Sequence, residues 1–348
     1  MRFFYGLVIL APVAILGGFL QWSPSVVFAL SALALIPLAG LMGRATEELA
    51  IHTGPRVGGL LNATLGNAAE LIITIVAIRA GLLELVKASI TGSILGNILL
   101  VMGLAMFLGG LRNGVQSFDR ENASTNATMV ILAVVALIVP SIFSHTIDKV
   151  NHAGVESLSI GVAIAMLALY VLSLVYAFAP ASRVAEVHDH APGKAHWSVR
   201  KSVLWLLFAT ALVAWLSEVL IGAVEPVVEA WGISEFFLGI VIIPLVGNVA
   251  EHMVAVQAAW KDKMELGMAV AVGSSLQIAL FVAPLLVFVS LLLGNPLTLV
   301  FNEFELVGLA GAALIAGIIA LDGKSNWLEG AQLLAVYIIT ALAFYFLP

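Results

Sequence analysis

The sequence predicts an all-α membrane protein with eleven crossings, and three observations predict it. The first is composition. Of 348 residues, 61% are apolar and only 10% are Asp, Glu, Lys or Arg, against the ~25% charged residues of soluble domains. So few charges cannot cover a water-soluble globule. The second is arithmetic: 61% of the chain, roughly 212 residues, divided by the ~20 needed per crossing, leaves room for ten or eleven spans and almost nothing for a soluble domain. The third is an internal repeat, described below. The net charge of -6 is modest and the 15 basic residues are scattered, so nucleic-acid binding has no electrostatic footprint. The absence of cysteine excludes disulfides, thiolate metal sites and thiol nucleophiles.

The elements follow in chain order. The apolar stretch 4–20 comes after a single Arg2 and lacks a convincing small-residue cleavage site, so it reads as a retained span, not a signal peptide. Short polar breaks delimit 24–43, 57–80, 86–110, 124–143 and 157–179. The hydrophilic run from Ala181 to Arg200 holds Pro192, Gly193, His188, His190 and His196 and reads as a cytoplasmic linker (181–199), its spaced histidines solvated rather than metal-binding. Five more apolar stretches follow at 202–224, 236–259, 264–293, 303–321 and 328–346. Under this assignment Arg79, Lys87 and Lys149 lie on one side of the membrane and the other twelve of the 15 basic residues on the side of the N-terminus. That bias predicts a cytoplasmic N-terminus and an extracytoplasmic C-terminus.

Shifting the chain by 181 residues pairs Gly58 with Gly239, Gly66 with Gly247, Asn67 with Asn248, Glu70 with Glu251, Gly92 with Gly273 and Ser93 with Ser274, among twelve identities in the 38 positions from 58 to 95. The repeated unit spans five helices, 24–180 and 200–348, with 1–23 as a peripheral first helix. An odd number of crossings inserts the second copy upside down. Inverted repeats mark secondary transporters, whose substrate sits near the midplane at the repeat interface.

The chemistry sits in the repeated motifs. Glu70 and Glu251 each fall roughly 20 Å from the entry of their helix, near the centre of a ~30 Å hydrocarbon core. An ionisable side chain there is costly unless paired, protonated or bound to a cation, and is a functional-site candidate by default. Asn67 and Asn248 precede the carboxylates by three residues, on the same helix face, and serve as ligands or as helix glue. Gly66 and Gly247 allow close crossing or expose carbonyl oxygens. Ser93, Ser274, Asn97 and Gln277 add hydroxyls and amides. Such an all-oxygen set selects a hard cation and suits calcium better than magnesium. When the ion leaves, two desolvated anions would face each other, so protons replace it, and cation and proton compete for one site. His252 points about 100 degrees from Glu251 and suits a supporting hydrogen bond or proton relay. Glu47, Glu48 and Glu218 fall near helix ends; Glu47 and Glu218 are expected as cation attractors at cavity mouths or as solvated end residues, Glu48 as a solvated end residue.

At Gly58 to Ile72, Gly247 to His252 and Gly273 to Gln277 the chain resembles the calcium/proton (cation/proton) exchangers of the calcium/cation antiporter group, and the repeat carries the resemblance over the whole chain. The resemblance implies eleven helices, the two motif glutamates as alternating metal and proton ligands with Gln277 and the amides in support, and a homo-oligomer, homotrimeric in bacterial members. Sodium/calcium exchangers carry Ser or Thr with a Pro before the Glu and an Asp in helix 9. Ala69, Ala250 and Gln277 stand there in this chain, which favours protons over sodium. The expectation is an antiporter of a prokaryotic inner membrane that exports cytoplasmic Ca2+ for H+ and needs no cofactor. The alternatives are sodium-coupled exchange, exchange of another divalent cation, a passive channel, and an intramembrane hydrolase built on Ser274 and His252. Against an enzyme, Glu251-His252 lacks the second His of an H-E-x-x-H zinc site, and a Ser274/His252 hydrolase would need neither the repeat nor Glu70.

Overall fold

A computed structural model describes residues 6–148, 152–177 and 195–347; His188 and His190 lie outside them. In chain order the helices are α1 (Leu7–Phe19), α2 (Pro24–Thr53), α3 (Pro55–Leu65), α4 (Ala68–Arg79), α5 (Leu83–Asn113), α6 (Arg120–Asp148), α7 (His152–Ala177), α8 (Val199–Gly222), α9 (Val224–Trp231), α10 (235–260), α11 (Met264–Leu293), α12 (Glu303–Ala320) and α13 (Trp327–Tyr345). A two-stranded antiparallel ladder pairs Gln116 with Ser325 and Ser117 with Lys324. Among the described residues eight helices, α2, α5 to α8 and α11 to α13, are long and apolar enough to cross a membrane. The chain is a multi-pass helical membrane protein.

Helix ends depart from the apolar stretches where backbone chemistry intervenes. The apolar signal of α2 stops at 43, but the helix continues through Arg44, Glu47 and Glu48 to Thr53. These polar residues are adequate helix formers, and termination waits for Gly54, whose φ of +82° only glycine adopts without strain. The expected helix 57–80 is two helices, because Asn67 leaves helical geometry at φ -93°, ψ 20° and becomes the N-cap of α4. Among the described residues three π-helical turns interrupt the long helices, at Gly96–Val101 in α5, Leu238–Ile242 in α10 and Ile278–Val282 in α11. The latter two end two residues before Pro244 and Pro284, which lack the N–H that a regular helix requires. α9 and the start of α10 are bent by 114°.

The chain forms two compact units, each drawing on both halves of the sequence. In the first (Met1–Gly81, Val171–Glu235, Val246–Ala250) α8 packs along α2 and α4, and α1 covers α2. The buried stripe of α8, Ala209, Val213, Leu216 and Leu220, has helical spacing.

In the second unit (Leu82–Tyr170, Phe236–Leu245, Glu251–Pro348) α13 packs on α5 and α12 on α6. Small residues bring these backbones together, as van der Waals packing in lipid requires. A Cβ at Gly110 would overlap the backbone nitrogen of Trp327, and one at Gly330 that of Phe107. The non-helical segment between α11 and α12 is buried at Leu297, Leu299 and Phe301, so its backbone needs internal partners. Three serines supply them: Leu297 N–H donates to Ser290 Oγ (2.8 Å), Leu299 N–H to Ser159 Oγ (3.1 Å) and Phe301 N–H to Ser141 Oγ (2.9 Å). Ser159→Ala strands one buried N–H, an expected cost of about 1–3 kcal/mol. A lowered unfolding midpoint in detergent, restored by Ser159→Thr, checks this.

Candidate functional site

The first carboxylate, Glu70, stands in the opening turn of α4. The break at Gly66 and Asn67 creates that helix start, where unpaired N–H groups favour negative charge. Glu70 is 6% exposed, and Asn67 and Asn248 are 3% exposed. The Asn248 amide, 178 residues away in sequence, donates to Glu70 Oε1. Gly247 lies beside the same side chain, where a Cβ would stand 2.9 Å from Glu70 Cγ. Thus Gly247 gives the glutamate stem its room, and Asn248 holds the head. Asn248→Ala removes that donor, and a loss of about 1.4 kcal/mol is expected to raise the half-saturating Ca2+ concentration about tenfold, measurable by ion uptake into vesicles.

The second carboxylate, Glu251, is half-buried within the uninterrupted stretch Ile243–Trp260 of α10. Ser274 of α11 donates its hydroxyl to Glu251. The Asn97 amide donates to Ser274 Oγ at 3.0 Å. Asn97 is 1% exposed and Ser274 5%. This chain orients the serine toward the carboxylate, a supporting role for Asn97 that satisfies its buried amide. Oε2 of Glu251 is shielded and has no hydrogen-bond partner, which leaves it available to an ion or a proton. Asn97 lies in the π turn of α5 and Gln277 directly before that of α11. Ser93 is buried on α5 one turn before Asn97, and Gln277 is half-buried one turn after Ser274. His252 is half-buried with Nε2 shielded and unpartnered.

The helix-end acids divide differently. Glu47 is exposed. Glu218 forms a 3.3 Å ion pair with Arg79, both side chains more than half exposed, so the pair contributes little to stability and offsets the negative charge expected at a cavity mouth.

Glu48, next to the expected Glu47, is the buried one at 5% exposure, and its Oε2 accepts from the backbone N–H groups of His196 (2.7 Å) and Trp197 (3.0 Å). It ties the end of the linker to α2. Helical phase signals this: Leu38, Leu41 and Ala45 are buried, and Glu48 continues their stripe. Glu305 is 1% exposed and accepts from Thr91 Oγ1 and from Asn302 N–H, both at 2.9 Å. Its signal is the Asn-x-x-Glu capping box.

Among the described residues no three His, Asp or Glu side chains gather into a metal cluster.

A family model described as sodium/calcium exchanger protein matches residues 23–179 and 201–346. The chain is similar to the Ca(2+)/H(+) antiporter of Aphanothece halophytica, 46% identical over 363 residues that cover 99% of this chain and 96% of that protein. It is 43% identical to the Ca(2+)/H(+) antiporter ChaA of Bacillus subtilis over 341 residues, 97% and 96% of the two chains. The solved structure of selenium-substituted Ca2+/H+ antiporter protein YfkE superposes with a TM-score of 0.87 at 42% identity, with both chains fully covered.

Proposed function

The chain belongs to the sodium/calcium exchanger protein family, and from that premise we propose that it is a secondary antiporter that exports Ca2+ from the cytoplasm of a prokaryote in exchange for H+. It is a transporter, not an enzyme. The observation that carries the reading is a carboxylate sequestered within a membrane-spanning protein and held by an amide: Glu70 bound by Asn248. Its repeat equivalent, Glu251, is held by Ser274. A cation discharges such groups, and so does a proton.

In the proposed mechanism Glu70 and Glu251 bind the ion, with Asn67, Asn248, Ser93, Ser274, Gln277 and the carbonyls around Gly66 and Gly247 as further oxygen donors. Protons take its place when it departs. A carrier that changes conformation only with its carboxylates neutralised exchanges one cargo for the other. The antiporter names of relatives 43–46% identical across the chain support calcium and protons as the cargo.

The architecture that goes with this reading has eleven crossings, the eight long helices being joined by α1, by α3 with α4, and by α10. Two inverted repeats, 24–180 and 200–348, are supported by the family model's match in two blocks, 23–179 and 201–346, and by π turns beginning at Gly96 and Ile278, one residue from the 181-residue register. The compact units are packing groups and mix the two copies. The basic-residue count orients the N-terminus to the cytoplasm, and the assembly is homo-oligomeric, a trimer by family resemblance.

The test is uptake of radioactive calcium into vesicles of purified protein under an imposed pH gradient, with and without sodium. Proton-driven uptake independent of sodium is expected. Uptake that requires sodium in the absence of a pH gradient establishes sodium exchange instead, and flux that neither saturates nor runs against a gradient establishes a channel.

A further inference from the structure

The first turns of α8 carry a stripe that the transport site does not use. Lys201, Leu204, Trp205 and Phe208 occupy i, i+3, i+4 and i+7, one face of the helix. This face is distinct from the Ala209, Val213, Leu216 and Leu220 stripe that the protein buries. With Ser198 and Arg200 the four residues line an open groove of about 450 Å³. Its walls are apolar and exposed, Leu204 at 57%, Trp205 at 39% and Phe208 at 48%. Its polar end is cationic, with Arg200 and Lys201 both exposed.

The aromatic wall is fixed in place. Trp205 meets Phe208 edge-on at 5.6 Å and Trp197 at 6.5 Å. Trp197 in turn lies under two cations, Lys201 Nζ at 4.8 Å and the Arg44 guanidinium at 5.1 Å from its ring. Its backbone N–H donates to Glu48 and its carbonyl oxygen meets His52 Nε2 at 2.6 Å. Glu48 is therefore turned to the backbone of the linker, and among the described residues that line the groove none is acidic.

We propose that this groove binds an anionic phospholipid, its phosphate between Arg200 and Lys201 and an acyl chain along Leu204, Trp205 and Phe208. The argument is complementarity. An apolar trough on the outer face of a membrane-spanning helix is filled by a lipid tail, and exposed cations at its end, in the part of the chain where tryptophan marks the membrane interface, select a headgroup with net negative charge. A zwitterionic lipid fills the same trough but brings its own ammonium to two cations. The inference rests on the membrane-spanning character of α8 and is independent of which ion the protein carries.

The test is native mass spectrometry of the purified full-length protein in detergent, titrated with palmitoyl-oleoyl phosphatidylglycerol or with the phosphatidylcholine of the same chains. At about a factor of five for each basic residue near the surface, discounted for Lys201's contact with Trp197, the first phosphatidylglycerol is expected to bind about tenfold more tightly than phosphatidylcholine. The Arg200→Gln, Lys201→Gln double variant, altered only at exposed positions, loses the preference while remaining folded and monodisperse. Independently, a phosphatidylglycerol with a photoreactive tail labels the 198–208 segment of the unaltered protein. Equal affinity for the two lipids overturns the proposal, as does a label that falls elsewhere or cross-linking of this segment to a second copy of the chain.

Discussion

Replacing Glu251 by glutamine is expected to reduce proton-driven Ca2+ uptake to the level of protein-free vesicles. Glutamine matches glutamate in shape and still accepts the Ser274 hydroxyl through its amide oxygen, so insertion and folding persist. It carries no charge and accepts no proton. A full charge lost beside a divalent ion removes several kcal/mol even at an effective dielectric constant of about 20, and each ~1.4 kcal/mol is a factor of ten in affinity. Glu70→Gln should fail in the same way: its amide oxygen keeps the Asn248 bond, and the charge is gone. Calcium uptake and a pH-sensitive dye read the two sides of the exchange in one preparation. Near-normal exchange by either variant, with expression and monodispersity unchanged, would remove both glutamates from the coupling mechanism.

The second large effect concerns a pair of glycines that the sequence treats as equivalents. A Cβ on Gly92 would overlap the carbonyl oxygen of Ile240, the group that Pro244, with no N–H, leaves without its regular helical donor. Backbone cannot yield as a side-chain tip does, so Gly92→Ala forces α5 away from α10, at about 3 kcal/mol or more. Gly273 has open space where its Cβ would stand, and Gly273→Ala is expected to change stability by less than about 1 kcal/mol, helped by alanine's better helix propensity. Unfolding midpoints of the two purified variants check the contrast. Equal midpoints would mean that the close crossing at Gly92 does not limit the packing.

Much of the fold was legible because a bilayer imposes its demands locally. Lipid offers no hydrogen bonds, so each crossing must be a long apolar helix. Hydropathy accordingly finds α2, α5 to α8 and α11 to α13 within a few residues, apart from the polar extensions of α2 and α6. It misreads 57–80, where every residue type suits an apolar span but Asn67 turns out of the helix. The carboxylates were legible for the same reason, since an acid within an apolar stretch stands out. Glu48 and Glu305 did not stand out, because each sits at a helix end, where acids are commonplace, and only distant partners, the linker backbone for one and Thr91 for the other, make them interior groups.

By itself the sequence determined that the chain lives in a membrane, where its apolar stretches lie, and that two like motifs each place an acid in one of them. These are properties of short windows, set by transfer free energy and helical period. Only the tertiary structure decided what each copy of the motif does. Glu70 begins a helix and is held by Asn248, whereas Glu251 sits inside one and is held by Ser274. Gly92 is a close crossing while Gly273 is not. The reason is that similar segments acquire different neighbours once folded, and packing between separate helices leaves no trace in either segment alone.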